Sequence, residues 1–406
     1  MGARHPQEGE VAPRKTGSAN QAVDVRENSM DFDFTEAQQM LKASAREFLE
    51  GECPKSFVRD MERDERGFTP ELWQKIAQVG WLRLPFPLEY GGDGHDFLTL
   101  CLLLEEMGRV CLPGPYFSST LLCGLSLAEF GSGSQKEEHL GRLGDGQRIM
   151  TLALLEPNVR YDTAGVQLEA TARDGGFVLN GTKLLVPYAN SADFLLLPAR
   201  TGRTADPDEG ITFFIVPSSA RGVTQTPLRT IAHDPQSEVT FQNVEVGRDA
   251  VLGEVDCGAP IFDKINQWGA VGSCAMLVGA ADVVLEMTIE YVKQRTAFGR
   301  PIGAFQAIQH HCANMAVDAE SSRVITYEAA WHLAEGIPAG QIVSMAKGWT
   351  GEAARRLYAL GHQCHGAIGL TVEYDLQLYS RRCKMWEMTF GDTNYHQDRL
   401  TRLAGL

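Results

Sequence analysis

The first third of the chain has apolar residues at helical spacing. From Leu41 to Leu49 they lie three or four positions apart, the period of a helix with one buried face. Thr35 precedes this segment and Gln38 follows three residues later, the pattern of a capping box. Other helices are predicted over Pro70–Val79, Leu98–Met107 and Leu121–Phe130. Residues 31–150 are therefore predicted to form an α-helical domain.

Between residues 151 and 256 the pattern changes to short apolar runs separated by turn residues. The clearest predicted strands are Phe194–Leu197, Ile211–Val216 and Val239–Phe241. Asn180-Gly181, which follows another apolar run, is a strong signal for a two-residue hairpin turn. We expect a small β-barrel or sandwich as a middle domain. No Gly-x-Gly-x-x-Gly motif follows a strand, so a dinucleotide-binding fold is not expected.

Helical spacing returns after Ile261 and continues to the end of the chain. The predicted helices are Ala270–Tyr291, Ile308–Ala334 and Ile342–Leu360. The fold class is therefore α+β, with a helical domain over 31–150, a β-domain over 151–256 and a C-terminal helical domain over 257–406. Residues 1–30 are polar and lack an apolar signal core, so they are predicted to be a disordered tail.

Composition narrows the possible partners. The 406 residues are 44% apolar and 22% charged, with a formal net charge of -15. An acidic chain repels nucleic acid and anionic membranes, and no run of eighteen apolar residues predicts a membrane span. The nine cysteines form no Cys-x-x-Cys pair, and their odd count and irregular spacing argue against both a disulfide framework and a zinc site. A reducing cytoplasm fits this pattern. The histidines lack a carboxylate cluster, so no metal site is expected.

A helix break near Gly299 presents a possible anion site. Arg295, Arg300 and Gln306 surround the break, and an arginine fork beside a helix N-terminus can bind a pyrophosphate. A solvated basic turn is the alternative, and residue types alone favour it.

The same stretch resembles the R-x-x-F-G-x-x-I-x-x-F-Q signature of acyl-CoA dehydrogenases. Three other family motifs occur in the family's order. Trp81–Gly92 is similar to G-W…P…Y-G-G, and Phe177–Lys183 is similar to the hairpin segment of the middle domain. Gln363–Gly369 is similar to Q-x-x-G-G-x-G. The resemblance covers residues 31 to 400. It implies a helical N-terminal domain, a β middle domain and a C-terminal four-helix bundle, with FAD lying across a dimer interface.

The resemblance also implies residue roles toward FAD. Arg295, Phe298 and Gln306 correspond to family residues that contact the diphosphate or ribose. Gln363, Gly366 and Ala367 correspond to those at the adenosine end, although Ala367 replaces a family glycine. In the family these residues serve a flavin whose ring lies in the neighbouring subunit.

The family's catalytic base is missing from both of its usual positions. The family dehydrogenates an acyl-CoA: a carboxylate removes the α-proton while the β-hydrogen leaves as hydride to the flavin. Phe390 occupies the position of the usual glutamate, and Gly269 occupies the alternative position on a preceding helix. Neither accepts a proton, so no catalytic residue is predicted. Asp392, two residues after Phe390, is the alternative candidate for a relocated base. An aspartate at such a position more commonly caps a helix or lies on the surface.

The family residues around the flavin ring are also replaced. Its T-E-P becomes Leu155-Glu156-Pro157 and its W-I-T becomes Leu185-Val186-Pro187. The hydroxyls are lost, and Pro187 has no N–H. These replacements lie at the positions that contact the flavin ring in the family, called here the ring half of the site. The positions that contact the nucleotide, the nucleotide half, are nearly intact.

This division resembles the non-catalytic subunits of heteromeric acyl-CoA dehydrogenases in steroid side-chain degradation. The closer similarity lies in Leu378–Arg382 and Phe390–Asp392. It implies an α2β2 heterotetramer with a homologous catalytic subunit, an acyl-CoA substrate and an electron-transferring flavoprotein. Two alternatives stay open: an autonomous enzyme using Asp392, and a non-enzymatic scaffold for a catalytic homologue.

Overall fold

The computed structural model describes residues 1–2 and 33–405, so almost all of the predicted tail lies outside the described residues. The first helix, α1 (Glu36–Glu52), begins with the predicted capping box. The Thr35 hydroxyl accepts a hydrogen bond from the Gln38 N–H at 3.2 Å, and the Gln38 side chain accepts one from the Thr35 N–H at 3.1 Å.

The N-terminal third continues as helices. They are α2 (Lys55–Met61), α3 (Pro70–Gln78), α4 (Phe97–Val110), α5 (Leu125–Phe130) and α6 (Gly133–Gly144). The helix predicted over Leu121–Phe130 begins earlier, because a π-helix over Phe117–Gly124 precedes α5. The Ser119 hydroxyl of this π-helix accepts the Met150 N–H at 3.1 Å and so joins it to the first strand.

The middle of the chain forms one sheet of eight strands within the described residues. They are β1 (Met150–Leu152), β2 (Glu169–Arg173), β3 (Gly176–Pro187), β4 (Phe194–Arg200), β5 (Ile211–Pro217), β6 (Val223–Leu228), β7 (Gln236–Gly247) and β8 (Val251–Leu252). Their order is β6-β7-β3-β2-β4-β5-β8, and β1 pairs with β4 in parallel. Side chains such as Leu195, Phe214 and Phe241 form a separate core for this sheet.

The hairpin turn predicted at Asn180-Gly181 is wrong. Strand β3 passes through both residues, and the β2–β3 hairpin turns at Asp174-Gly175, where φ is 47° and 86°. Asn180 instead lies at a shift in the register between β3 and β7, and its side chain accepts the Asn243 N–H at 2.8 Å. Gly181 has φ 147° and approaches Leu168 so closely that a Cβ atom would lie 2.9 Å away. The dipeptide therefore forms a β-bulge rather than a turn.

The C-terminal part is helical again. Its helices are α7 (Ala259–Gln294), α8 (Gln306–Ala334), α9 (Gly340–His365), α10 (Leu376–Met388) and α11 (Thr393–Leu403), and a hairpin of β9 (Thr296–Ala297) and β10 (Arg300–Pro301) joins α7 to α8. The predicted α, β, α fold is confirmed. Among the described helices, α7 alone is long and apolar enough to cross a membrane, but 83% of its most apolar window is buried inside the protein, as in a core helix.

Helix α7 approaches its neighbours at glycines. A Cβ atom on Gly279 would lie 1.9 Å from the Glu105 carbonyl oxygen of α4, and one on Gly108 of α4 would lie 2.1 Å from the Met276 carbonyl oxygen. The backbones of α4 and α7 are therefore in direct contact. Beside this crossing, the buried Glu105 carboxylate pairs with Lys42 of α1 at 2.8 Å and with Arg323 of α8 at 2.6 Å.

Candidate functional site

A cavity of about 300 Å³ lies between the middle sheet and the C-terminal helices. Its walls come from the π-helix, the ends of β1 and β3, the loop before β7, and helices α7 and α10. Four residues that depart from the expected pattern all line it: Leu155, Leu185, Pro187 and Phe390. The structure therefore brings these sequence departures together in one place.

The sheet side of the cavity offers few polar groups where donors were expected. Leu155 follows β1, and its carbonyl accepts the Leu184 N–H at 2.8 Å. A register shift between Lys183 and Val186 bends β3 there, with φ 52° at Leu185. The buried pair of Lys183 and Glu156, 2.7 Å apart, fixes the segment behind this wall. At positions 155, 185 and 187 the side chains of this wall carry no hydroxyl or amide.

Phe390 and Gly269, the two expected base positions, are in direct contact. A Cβ atom on Gly269 would lie 2.5 Å from the nearest ring carbons of Phe390. The ring is 5% exposed and lies near Phe117 and Tyr161, with centroids 6.2 and 6.0 Å away. The phenyl ring thus fills the space beside α7 that a side chain at 269 would occupy.

The backbone of Phe390 is held from two sides. Its φ is 61°, an unusual conformation for a bulky residue. The buried His396 ring bonds its carbonyl through Nε2 at 2.9 Å. The preceding turn of α10 is fixed by Lys347 of α9, whose ammonium group donates to the carbonyls of Trp386 and, at 3.0 Å, Glu387. Burial lowers the pKa of Lys347 to about 8.

Asp392 has a structural role in this geometry. It is the N-cap of α11, and its carboxylate accepts the Tyr395 N–H at 2.9 Å. It is not among the residues that line the cavity. A carboxylate that caps a helix and does not face the cavity is poorly positioned to remove a proton from a ligand there.

The predicted nucleotide-binding residues lie elsewhere and are exposed. Arg295 ends α7, Phe298 lies on the following hairpin with 96% of its surface exposed, and Gln306 begins α8. Gln363 lies in the last turn of α9, and Gly366 and Ala367 follow it. None of these six residues lines the cavity.

The ends of α7 and α9 are joined by a ring contact. Tyr291 stacks on His365 with ring centroids 4.5 Å apart, and its hydroxyl donates to the His365 carbonyl at 3.2 Å. This contact joins the ends of α7 and α9, four residues before Arg295 and two residues after Gln363. The contacts of these residues with a nucleotide stay predictions.

Sequence reasoning missed a polar group in the cavity. Arg382 of α10 is 4% exposed and Asp234 is 6% exposed, and both line the cavity together with Gln236. The sequence contained a signal that Arg382 is buried. It lies four residues from Leu378 and from Trp386, on the helix face that both of these buried residues share. An arginine is unusual on a buried helix face.

Models of the three acyl-CoA dehydrogenase domains match the chain: the N-terminal domain over residues 35–147, the middle domain over 151–244 and the C-terminal domain over 258–404. The chain belongs to the acyl-CoA dehydrogenase family. The short-chain specific acyl-CoA dehydrogenase of Clostridium acetobutylicum is 30% identical over 367 residues, 89% of this chain and 96% of that protein.

Solved structures of family members have the same fold. A chain of the ChsE4-ChsE5 complex from Mycobacterium tuberculosis has a TM-score of 0.85 and 28% identity, with 93% of this chain and 99% of that chain covered. A FAD complex of PigA has a TM-score of 0.85 and 25% identity, with coverages of 93% and 100%. The cofactor is FAD and the family reaction is FAD-dependent dehydrogenation of an acyl-CoA.

The two halves of the chain's FAD site fit the cofactor unequally. Gln306 begins α8, where no side chain caps the free N–H groups, and Arg295 ends α7 before the hairpin that leads to α8; an uncapped first turn and an arginine suit a diphosphate. At the ring half, Leu155 and Pro187 offer no side-chain donor. When bound, FAD supplies the hydride acceptor of the family reaction. The residues of this chain fit its nucleotide end and do not fit its ring.

We predict strong coupling between positions 269 and 390. Gly269→Ala alone should destabilise the protein by about 1–3 kcal/mol, because its methyl group overlaps the buried ring. In a Phe390→Ala background the same change should cost much less, since the methyl group then fills part of the cavity left by the ring. Urea unfolding of the four proteins measures the coupling. The control is Gly141→Ala, whose methyl group meets nothing within 4 Å; its change in unfolding free energy should add to that of Phe390→Ala. If the free-energy changes of Gly269→Ala and Phe390→Ala also add, the contact between the two residues is contradicted.

We predict that acid destabilises the fold through His396. Burial lowers the pKa of this 1% exposed imidazole to about 3. Below pH 6.5 the unfolded chain binds a proton here that the native chain does not, so stability falls as pH falls, by about 1.4 kcal/mol per pH unit for this group. Unfolding measured between pH 6.5 and 4.5 should show a shallower loss in His396→Gln than in the parent. The exposed His95→Gln should keep the parent's slope, and equal slopes in all three would refute the assignment.

Proposed function

We propose that this chain is the non-catalytic subunit of a heteromeric FAD-dependent acyl-CoA dehydrogenase. In this proposal it contributes the nucleotide half of one FAD site to a homologous catalytic subunit. The observation that carries the proposal is the Phe390 ring packed against Gly269. The ring itself occupies one family base position and leaves no room for a side chain at the other, whereas Arg295 and Gln306 of the nucleotide half are kept and exposed.

The symmetry of the family dimer supports the assignment. Each family FAD site takes its ring half from one subunit and its nucleotide half from the other, so a homodimer of this chain would have two defective ring halves. Pairing with a complete homologue restores one whole site for each pair of chains. The similarity to a chain of the ChsE4-ChsE5 complex, which contains two different proteins, is consistent with such an arrangement.

The finer parts of the proposal follow from the family resemblance. We propose an α2β2 assembly in the cytoplasm, a bulky acyl-CoA such as a steroid side-chain ester as substrate, and an electron-transferring flavoprotein as electron acceptor. A non-enzymatic scaffold would also associate with a catalytic homologue, but it would have no need of an intact nucleotide half. Flavin held across the interface therefore distinguishes the two functions.

We predict one FAD per two chains in the assembled complex, and colourless protein when this chain is purified alone. Arg295→Ala should weaken flavin retention in the complex by roughly tenfold to a hundredfold, the effect of losing one charge-assisted hydrogen bond. Flavin absorbance after dilution measures the retention. Lys293→Ala removes an exposed cation two residues away, paired with Glu290, and should retain flavin normally. Yellow, active protein from this chain alone would overturn the proposal.

We predict that Asp392 takes no part in proton removal. Asp392→Asn keeps a good helix cap but cannot act as a base, so kcat of the complex with an acyl-CoA should be unchanged. Substitution of a true general base typically lowers the rate by about 10²–10⁴-fold. A fall of that size in Asp392→Asn, with unchanged thermal stability, would contradict this prediction and identify Asp392 as a relocated base.

A further inference from the structure

Helices α8 and α9 run in opposite directions and pack along a seam of small side chains. The hydroxyl oxygens of Thr326 and Thr350 lie 3.5 Å apart across this seam, and both residues are buried. Eight residues earlier in α8, the Asp318 carboxylate pairs at 2.6 Å with Arg356, which lies six residues later in α9. Because short side chains meet at the threonine pair, the two helix backbones approach closely there.

The same facing relation continues toward the outer end of the seam. Seven residues outward from the threonine pair lie Ala319 on α8 and Leu357 on α9, which are 3% and 0% exposed. A second step of seven residues reaches Cys312 and Cys364. Seven residues are close to two helical turns, so residues at this spacing lie on the same side of a helix. The two cysteines therefore face each other across the seam, as the two threonines do.

The two thiols differ in their access to solvent. Burial raises the pKa of the Cys364 thiol to about 11, and the nearby Cys312 adds to this rise. Cys364 is 5% exposed, whereas Cys312 is half-buried, and both are free thiols. Of the pair, Cys312 is the thiol that a reagent in solvent can reach.

We propose that Cys312 and Cys364 form a reversible disulfide that joins the outer ends of α8 and α9. A small disulfide such as oxidised glutathione is the oxidant. The Cys312 thiolate attacks it, its S–S bond breaks, and one glutathione thiol leaves. The Cys364 thiolate then attacks the Cys312 sulfur and releases the second glutathione. The two protein thiols lose two protons and two electrons, and two reduced glutathione molecules take them up. Thiol pairs of this kind in a reducing compartment are usually transient and redox-sensing.

The bond lies beside two residues that are predicted to contact the nucleotide. Cys364 directly follows Gln363, and Cys312 lies six residues after Gln306, the first residue of α8. A disulfide at this point stops the last turn of α9 from separating from α8. Any effect on flavin rests on the proposed function, whereas formation of the bond does not.

The test is incubation of the full-length chain with oxidised glutathione, followed by mass spectrometry of unreduced peptides. Every protein carries Cys257→Ser, because Cys257 is exposed and forms an adduct of its own. We expect one peptide pair joined through Cys312 and Cys364, which separates after treatment with dithiothreitol. Amide hydrogen exchange in the last turn of α9 should slow by about tenfold in the oxidised chain, because fraying of that turn is then restricted.

Two single substitutions separate the roles of the thiols. Cys364→Ser should trap one glutathione on Cys312, because the second thiol is then absent. Cys312→Ser should give neither an adduct at Cys364 nor a cross-link, because Cys364 is buried. A parent chain that keeps both thiols reduced, or that stops at a stable glutathione adduct on Cys312, would overturn the proposal. Exchange in the last turn of α9 that is unchanged by oxidation would also overturn it. These measurements need neither flavin nor a partner subunit, so their outcome is independent of the FAD stoichiometry of the complex.

Discussion

Helix α7 can lie at the centre of the molecule because it presents bare backbone where its neighbours come closest. Gly279 meets the backbone of α4, Gly272 meets Leu121 of the π-helix, and Gly269 meets Phe390. Each glycine costs a helix about 1 kcal/mol relative to alanine, so the close packing has to outweigh that cost. The positions of α4, the π-helix and the segment before α11 relative to α7 all depend on these contacts, and with them the shape of the cavity.

Much of the fold could be predicted because local and tertiary signals agree. Thr35 and Gln38 form a capping box whatever the helix packs against, and the long C-terminal helices have consistent spacing. Asn180-Gly181 shows the opposite case. The dipeptide tolerates both a turn and a bulge, and pairing of β3 with β7 on both sides of it selects the bulge. That pairing joins residues about sixty positions apart in the sequence, so the residues around Asn180 alone cannot predict it.

The site was only partly predictable for a similar reason. Matching short motifs identified Phe390 and Gly269 separately, and nothing in the motifs says that the two touch. Their contact depends on the left-handed backbone at Phe390 and on the carbonyls held by Lys347 and His396. Arg382 was overlooked because arginine is usually exposed, although its apolar neighbours one turn away on α10 indicated a buried face. Its electrostatic neighbours Tyr188 and Asp234 come from the middle part of the chain, and no local pattern on α10 reports them.

The contact between Phe390 and Gly269 also constrains the order in which this sequence could have arisen. A phenyl ring at 390 occupies the volume of any side chain at 269, so it could be accepted only in a chain that already had glycine there. Once the ring is in place, a carboxylate fits at 269 only if residue 390 also becomes smaller. The two family base positions of this chain are therefore expected to change together rather than independently.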